Sequence, residues 1–375
     1  MSKKFFLVMV IVVGAIIGLW SWTLVAPNNS ISIGGSASVQ PLLKKLTDKY
    51  KTEDGKKFVY SATGSGAGIT NVQEGVYEIG FISKDVKPSD WKSNLIKENT
   101  TIFNNLKTED IKNSEWYWNQ LKETNQNGAI EDTYRYIEFA KDSIVFVYND
   151  KGTGFDQFLE QSNLTFKFEI DNGKFVKDQT SYKILNAIYS PDSQNNLISW
   201  NKLAIMLAEN YSDNDQQKEA NIKLANQLVS SKTKITPYSS TSGSGTRSSF
   251  FNLTGIEPGS AVKEYGANGT IYGQIEKSPG SIGFVSMLYG SAESKTVKSV
   301  KIEQDKVIWD PSSGSSNLST YPLTRPFIGI YKYSSANEKL MHQIANFLFW
   351  MATSEDVKDF YKSVGLTQYV VNEIK

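Results

Sequence analysis

"SISIGGSASVQPLLKKLTDKYKTEDGKKFVYSATGSGAGITNVQEGVYEIGFIS", Ser30–Ser83, is the stretch whose reading decides the fold. SISIGG predicts a strand that ends in glycine. In the next segment Val39, Leu42, Leu43, Leu46 and Tyr50 recur at helical spacing, with Gly55 as the expected stop. KFVYSATG predicts a second strand, AGITNVQEG a short helix closing at Gly75, and YEIGFIS a third strand. Strands alternating with amphipathic helices argue for an α/β domain with a largely parallel sheet.

The pattern continues outward from there. SIVFVYND (Ser143–Asp150) and SIGFVSMLY (Ser281–Tyr289) read as strands. SYKILNAIYS, NKLAIMLAEN, EANIKLANQLVS and the two tail segments ANEKLMHQIANFLFWMAT and SEDVKDFYKSVG read as helices. Residues 86–136 are polar and weakly periodic, and a mostly helical excursion is expected there. A chain of 375 residues is long for one core. No Gly/Ser or Pro-rich linker separates two halves, so a crossing between domains is expected at strand-like segments.

The totals remove several function classes. The net charge is +1, which gives no bulk electrostatic case for nucleic acid or an anionic membrane surface. Anion recognition, if present, must be local. With no cysteine and one histidine, His342, thiol catalysis and a histidine-rich metal site are excluded. No cofactor is expected. His342 lies on a Leu/Met/Phe-rich segment and reads as a packing or surface residue.

The amino terminus carries Lys3 and Lys4 and then an uncharged, mostly apolar run from Phe5 to Pro27. A signal-peptide core is shorter, about 7–15 residues. This run approaches the ~20 residues that span a bilayer. LVAP is a poor cleavage site, and the two lysines favour a cytoplasmic amino end. Residues 1–29 are therefore expected to be a transmembrane signal-anchor with the body on the extracytoplasmic side. A removed signal peptide is the alternative, and either one exports the protein.

Three loops share one design. Gly34-Gly35-Ser36-Ala37-Ser38, Gly64-Ser65-Gly66-Ala67-Gly68 and Gly243-Ser244-Gly245-Thr246 each lead from a strand into a helix. The first turn of a helix has free N–H groups and a partial positive charge. Glycine permits close approach, and Ser or Thr adds an O–H donor. One such turn is ordinarily a capped helix. Three of one kind favour an anion clamp built from neutral donors. Neither the P-loop spacing nor G-x-G-x-x-G occurs in them.

GSASVQPL, GSGAGITNVQEGVYEIGFISKDVK, NAIYSPDSQNNLISWNKL, GSGTR, PGSIGFVSMLY and YPLTRPF occur in this order. Together they resemble the PstS-like phosphate-binding proteins of ABC phosphate-uptake transporters, within the periplasmic-binding-protein family. The resemblance runs from about residue 31 to the end and is weak over 86–136. It implies two α/β lobes of the type II arrangement with a two-strand hinge: residues 30–140 plus 321–375 as lobe I and 146–318 as lobe II. It places ligand contacts at Ser38, Val39, Ser65, Ser244, Gly245 and Thr246. After the third strand it points to Ser83, with Lys84 and Asp85 beside it. Asp85 is the best candidate to accept the proton of hydrogen phosphate, an acceptor that would repel sulfate, and a solvated charge is its alternative reading. Many members carry an arginine four residues before the serine of SGT, where this chain has Ser240. Arg247 is then the loop's only cation, with three readings open: a ligand contact, a brace of the site through a carboxylate as the resemblance implies, or an exposed residue. Arg325, on the implied hinge strand, is expected to be structural.

The resemblance implies a monomeric, membrane-anchored binding protein that takes inorganic phosphate to ABC permease subunits. The same fold holding another oxyanion or a phosphorylated small molecule is an alternative. A secreted phosphatase lacks a base near Ser244, and no Gly-x-Ser-x-Gly elbow is present. A surface adhesin, which would not need these hydroxyls, completes the set.

Overall fold

The computed structural model describes residues 30–91, 96–98, 114–119, 133–171, 174–177, 179–290, 294–313 and 320–368. The expected anchor, residues 1–29, lies outside them, as does most of 92–132. Among the described residues no helix is long and apolar enough to cross a membrane.

The opening stretch folds as β1 (Ser30–Gly35), α1 (Gln40–Lys49), β2 (Lys57–Ala62), α2 (Ser65–Gln73) and β3 (Ile79–Ile82). β1 runs parallel to both β2 and β3. Ile31 and Ile33 are fully buried, and α1 covers the sheet with Leu42, Leu43 and Leu46. α1 ends at Lys49, short of the expected stop at Gly55. Tyr50 turns to extended backbone and sets its ring 5.0 Å from Phe347 and 5.1 Å from Trp350. Packing on another helix therefore decides this terminus ahead of the glycine.

Next comes β4 (Tyr134–Asn149), a strand of 16 residues that starts well before Ser143. Arg135, Glu138, Lys141 and Asp142 interrupt its first half, which reads as polar in sequence. Pairing holds it extended, with strands at Ile96–Glu98, Thr324–Lys332 and Thr367–Gln368 all hydrogen-bonded to this half. Of the expected helical excursion, residues 114–119 are helical, Ile96–Glu98 is a short strand parallel to the start of β4, and the remainder below 133 lies largely outside the described residues.

The second part of the chain contains α3 (Phe155–Ser162), α4 (Thr180–Tyr189), α5 (Trp200–Tyr211), α6 (Asp215–Leu228), β5 (Thr236–Ser240), α7 (Gly245–Thr254), β6 (Lys263–Tyr265), α8 (Asn268–Lys277) and β7 (Ser281–Ser286). β6, β5 and β7 are parallel. The chain then returns through β8 (Thr324–Lys332) to α9 (Glu338–Thr353) and α10 (Glu355–Ser363).

The main strands form one continuous sheet in the order β6–β5–β7–β4–β8–β3–β1–β2. Each end of it is parallel, as the sequence rhythm requires. The joining strands are antiparallel: β4 to β7, β4 to β8 and β8 to β3. Most buried apolar residues divide into a core drawn from 31–140 with 327–366 and another drawn from 144–323, and a smaller cluster gathers Ile69, Val72, Ile82, Tyr134, Ile328 and Ile330. The changeover lies between Ala140 and Ile144 on β4 and between Leu323 and Phe327 on β8. Thr324 to Phe327 pair with Ser143 to Ala140 there, so two adjacent strands link the lobes.

Candidate functional site

The three strand–helix junctions deliver their polar residues to one place. Gly35 ends β1 with φ +127°, and a Cβ there would lie 2.2 Å from the Phe81 carbonyl oxygen. Only glycine lets the strand turn so close to β3. The turn carries Ser36 Oγ to 2.7 Å from Ser83 Oγ, just past β3. Ser38 N–H donates to Ser36 Oγ (3.2 Å), and Val39 N–H donates to the Ser36 carbonyl (3.1 Å). Ser65, the first residue of α2, accepts from Ser83 N–H at 3.2 Å, and its Oγ is 3.4 Å from Ser83 Oγ.

α7 enters from the other lobe. Ser244 caps it by accepting from Thr246 N–H at 3.2 Å. A Cβ on Gly245 would fall 2.1 Å from Ser83 Oγ and 2.4 Å from Ser65 Oγ. The absence of a side chain is what admits this helix start among those hydroxyls. Thr246 Oγ1 lies 3.0 Å from Ser38 Oγ, and Ser249 Oγ donates to the Ser83 carbonyl at 3.1 Å. Gly66 N–H donates to the Gly243 carbonyl at 3.2 Å. Ser36, Ser38, Ser65, Ser83 and Thr246 are all buried, so the two lobes meet on a buried layer of hydroxyls.

Arg325 supplies the charge. It is the cross-strand partner of Asp142 at the lobe changeover. Its Nε and Nη2 donate to Asp142 Oδ2 at 2.9 and 2.7 Å. Asp142 Oδ1 accepts from Ser286 Oγ (3.0 Å) and Met287 N–H (3.1 Å). The remaining nitrogen, Nη1, donates to Thr246 Oγ1 at 2.8 Å and lies 3.4 Å from Ser83 Oγ. Burial pushes the Asp142 carboxyl up and the Arg325 guanidinium down, while their mutual attraction opposes both shifts. Four donors on the carboxylate, and a guanidinium that does not deprotonate in proteins, keep the pair ionised. The pair is neutral as a whole, yet it presents N–H groups of a cation to the hydroxyls.

Two expected ligand residues stand elsewhere. Arg247 is turned to Glu257, at 3.0 Å, and to Glu264. Its charge is already matched by two carboxylates. Asp85 is exposed, and neighbouring Lys84 pairs with Asp90 at 2.7 Å. The chain after β3 turns outward beyond Ser83, which leaves Asp85 in water. Ser240 is buried at the end of β5 and its Oγ has no partner among the described residues. His342 lies against Trp118, Glu53 and Glu115, apart from the cluster.

Sequence reasoning missed the part played by Arg325, and missed Asn268 altogether. The first sits in a hinge strand, where an arginine reads as structural, and its partner is 183 residues away. The second begins α8 and reads as an ordinary helix-start residue. Its Nδ2 donates to Ser38 Oγ at 2.6 Å and to Thr246 Oγ1 at 3.1 Å, bridging the lobes. The arrangement offers hydroxyls, helix-start amides and one guanidinium in a buried layer, a donor set suited to a small oxyanion. Among the described residues, no group of three or more His, Asp or Glu could hold a metal.

Comparison with known proteins places this geometry in context. A model of the PBP superfamily domain matches residues 25–111 and 116–355. A solved structure from Clostridium perfringens, assigned as a phosphate ABC transporter substrate-binding protein and holding phosphate, superposes with a TM-score of 0.55 at 20% identity, covering 91% of this chain and 99% of that one. An ABC-type phosphate transport receptor from Vibrio cholerae gives 0.51 at 19% identity, covering 90% of this chain and 99% of that one. At such identities the likeness is one of fold. The phosphate-binding protein PstS 2 of Streptococcus pneumoniae is 37% identical over 67 residues, 18% of this chain and 23% of that protein. The chain thus matches about a quarter of the length of its curated relatives.

Proposed function

This chain belongs to the PBP superfamily, and from that premise we propose that it captures inorganic phosphate between its two lobes and delivers it to the permease subunits of an ABC transporter. The observation that carries this reading is the meeting of Ser36, Ser38, Ser65, Ser83 and Thr246 beside the Arg325 guanidinium. Phosphate as the ion draws support from the relatives in S. pneumoniae, C. perfringens and V. cholerae.

The mechanism is closure about β4 and β8. Open lobes admit the hydrated ion, and closing them brings α1, α2 and α7 starts together. Burying an ion costs heavily unless its water is replaced by hydrogen bonds. Here the replacements are hydroxyls, helix-start amides and Arg325, fixed in advance by the strand ends. The closed form is what the permease recognises, and no bond is made or broken. Residues 1–29 anchor the protein in the cell membrane with its body on the extracytoplasmic side. It works as a monomer, without cofactor or nucleic acid.

A second reading keeps the site and changes the ion. The exposure of Asp85 removes the expected carboxylate acceptor, which favours an unprotonated oxyanion such as sulfate. Titration calorimetry of the full-length chain in detergent decides between them. One phosphate per chain is expected near neutral pH. Heat from sulfate and none from phosphate overturns the phosphate reading.

A further inference from the structure

We propose that Asn268 reads the proton of the bound anion, its carboxamide oxygen standing in for the acidic acceptor that Asp85 does not provide. The inference rests on the phosphate reading above and names the group that sets its selectivity. Asn268 is buried, at 2% exposure, and its Nδ2 is held by Ser38 and Thr246 from opposite lobes. Its Oδ1 is buried and has no hydrogen-bond partner among the described residues. Buried acceptors are almost always paired, and one without a donor stays desolvated at a cost.

The chemistry around it gives that atom a function. Ser36, Ser38, Ser65, Ser83, Thr246 and Arg325 all have N–H or O–H groups to donate to an oxyanion. An anion carrying a proton needs one acceptor as well. Asp142 cannot serve, because Oδ2 holds Arg325 twice and Oδ1 holds Ser286 and Met287. The Asn268 amide oxygen is acceptor-only and lies on the group that touches Ser38 and Thr246. A hydrogen phosphate P–OH donates to it. Sulfate has no proton at neutral pH, so its oxygen would face the amide oxygen with no hydrogen between them. A neutral amide repels an unprotonated anion less than a carboxylate would. Selectivity against sulfate is therefore present but shallow, and it is set at one residue.

The test is titration calorimetry of the full-length wild type, N268A and N268D with phosphate and with sulfate, alongside thermal melting. Loss of a hydrogen bond to a charged partner predicts that N268A weakens phosphate about ten- to a hundredfold while sulfate changes less than about threefold. N268D, with a charged acceptor of the same shape, is expected to retain phosphate and to widen the preference over sulfate. Equal weakening of both ions in folded N268A, or sulfate binding unchanged in folded N268D, overturns the proposal and leaves the phosphate reading intact. Wild type that binds no phosphate removes the phosphate reading, and this inference with it. If N268A does not melt cooperatively, N268D alone decides.

Discussion

Arg247 and Arg325 make opposite use of the same side chain. Arg247 follows the Gly-Ser-Gly-Thr turn directly, where an anion-binding arginine is expected, yet its guanidinium is taken by Glu257 and Glu264 near the surface. Arg325 lies 79 residues from Thr246, on a strand that links the lobes, and donates to Thr246 Oγ1 from a fully buried position. Proximity in sequence does not decide which cation serves the hydroxyls. What decides is which one is buried with them, held by a carboxylate on one edge only, with a nitrogen left over.

The largest expected effect comes from breaking the buried pair. Asp142→Ala leaves the Arg325 charge buried and uncompensated, which should cost about 3–5 kcal/mol of stability. Denaturant unfolding measures it. Combining D142L with R325M should recover much of that loss without restoring phosphate binding, whereas a double variant that binds as wild type would mean Arg325 is not part of the site.

Gly245→Ala comes next. Its new Cβ would displace Ser65 and Ser83, 2.4 and 2.1 Å away at their Oγ atoms. With two or more hydrogen bonds disturbed, phosphate affinity is expected to fall roughly a hundredfold by calorimetry. Arg325→Lys keeps the charge and loses the fork that spans Asp142 and Thr246, so a loss of about tenfold is expected. Arg247→Gln closes the series. Its partners Glu257 and Glu264 are substantially exposed, and exposed ion pairs contribute about 0–1 kcal/mol, so affinity should shift less than about fivefold. Should R247Q abolish binding while R325K leaves it unchanged, the comparison is reversed.

Much of the scaffold was legible before any coordinates. The period of Leu42, Leu43 and Leu46 gave α1, and the three turns could be singled out because small hydroxyls beside glycine at a strand–helix junction mark a helix start; the resemblance narrowed them to Ser38, Ser65 and Thr246 and did not point to Ser36. The first half of β4 was not legible. Its charges mask the strand alternation, and pairing with β8, Ile96–Glu98 and Thr367–Gln368 holds it extended. Asp85 misled for a related reason, since a residue two positions past Ser83 faces water or ligand according to which way the chain leaves the strand.

The sequence by itself determined the α/β alternation, the three glycine–hydroxyl turns and the absence of thiol chemistry, because these depend on local periodicity, local backbone freedom and composition. Tertiary structure alone decided that Arg325 meets Asp142 and Thr246, that Arg247 turns to carboxylates, and that Asn268 bridges Ser38 and Thr246. Those outcomes rest on strand register and on contacts across the lobes. No local pattern encodes the distance between residues 183 or 230 positions apart.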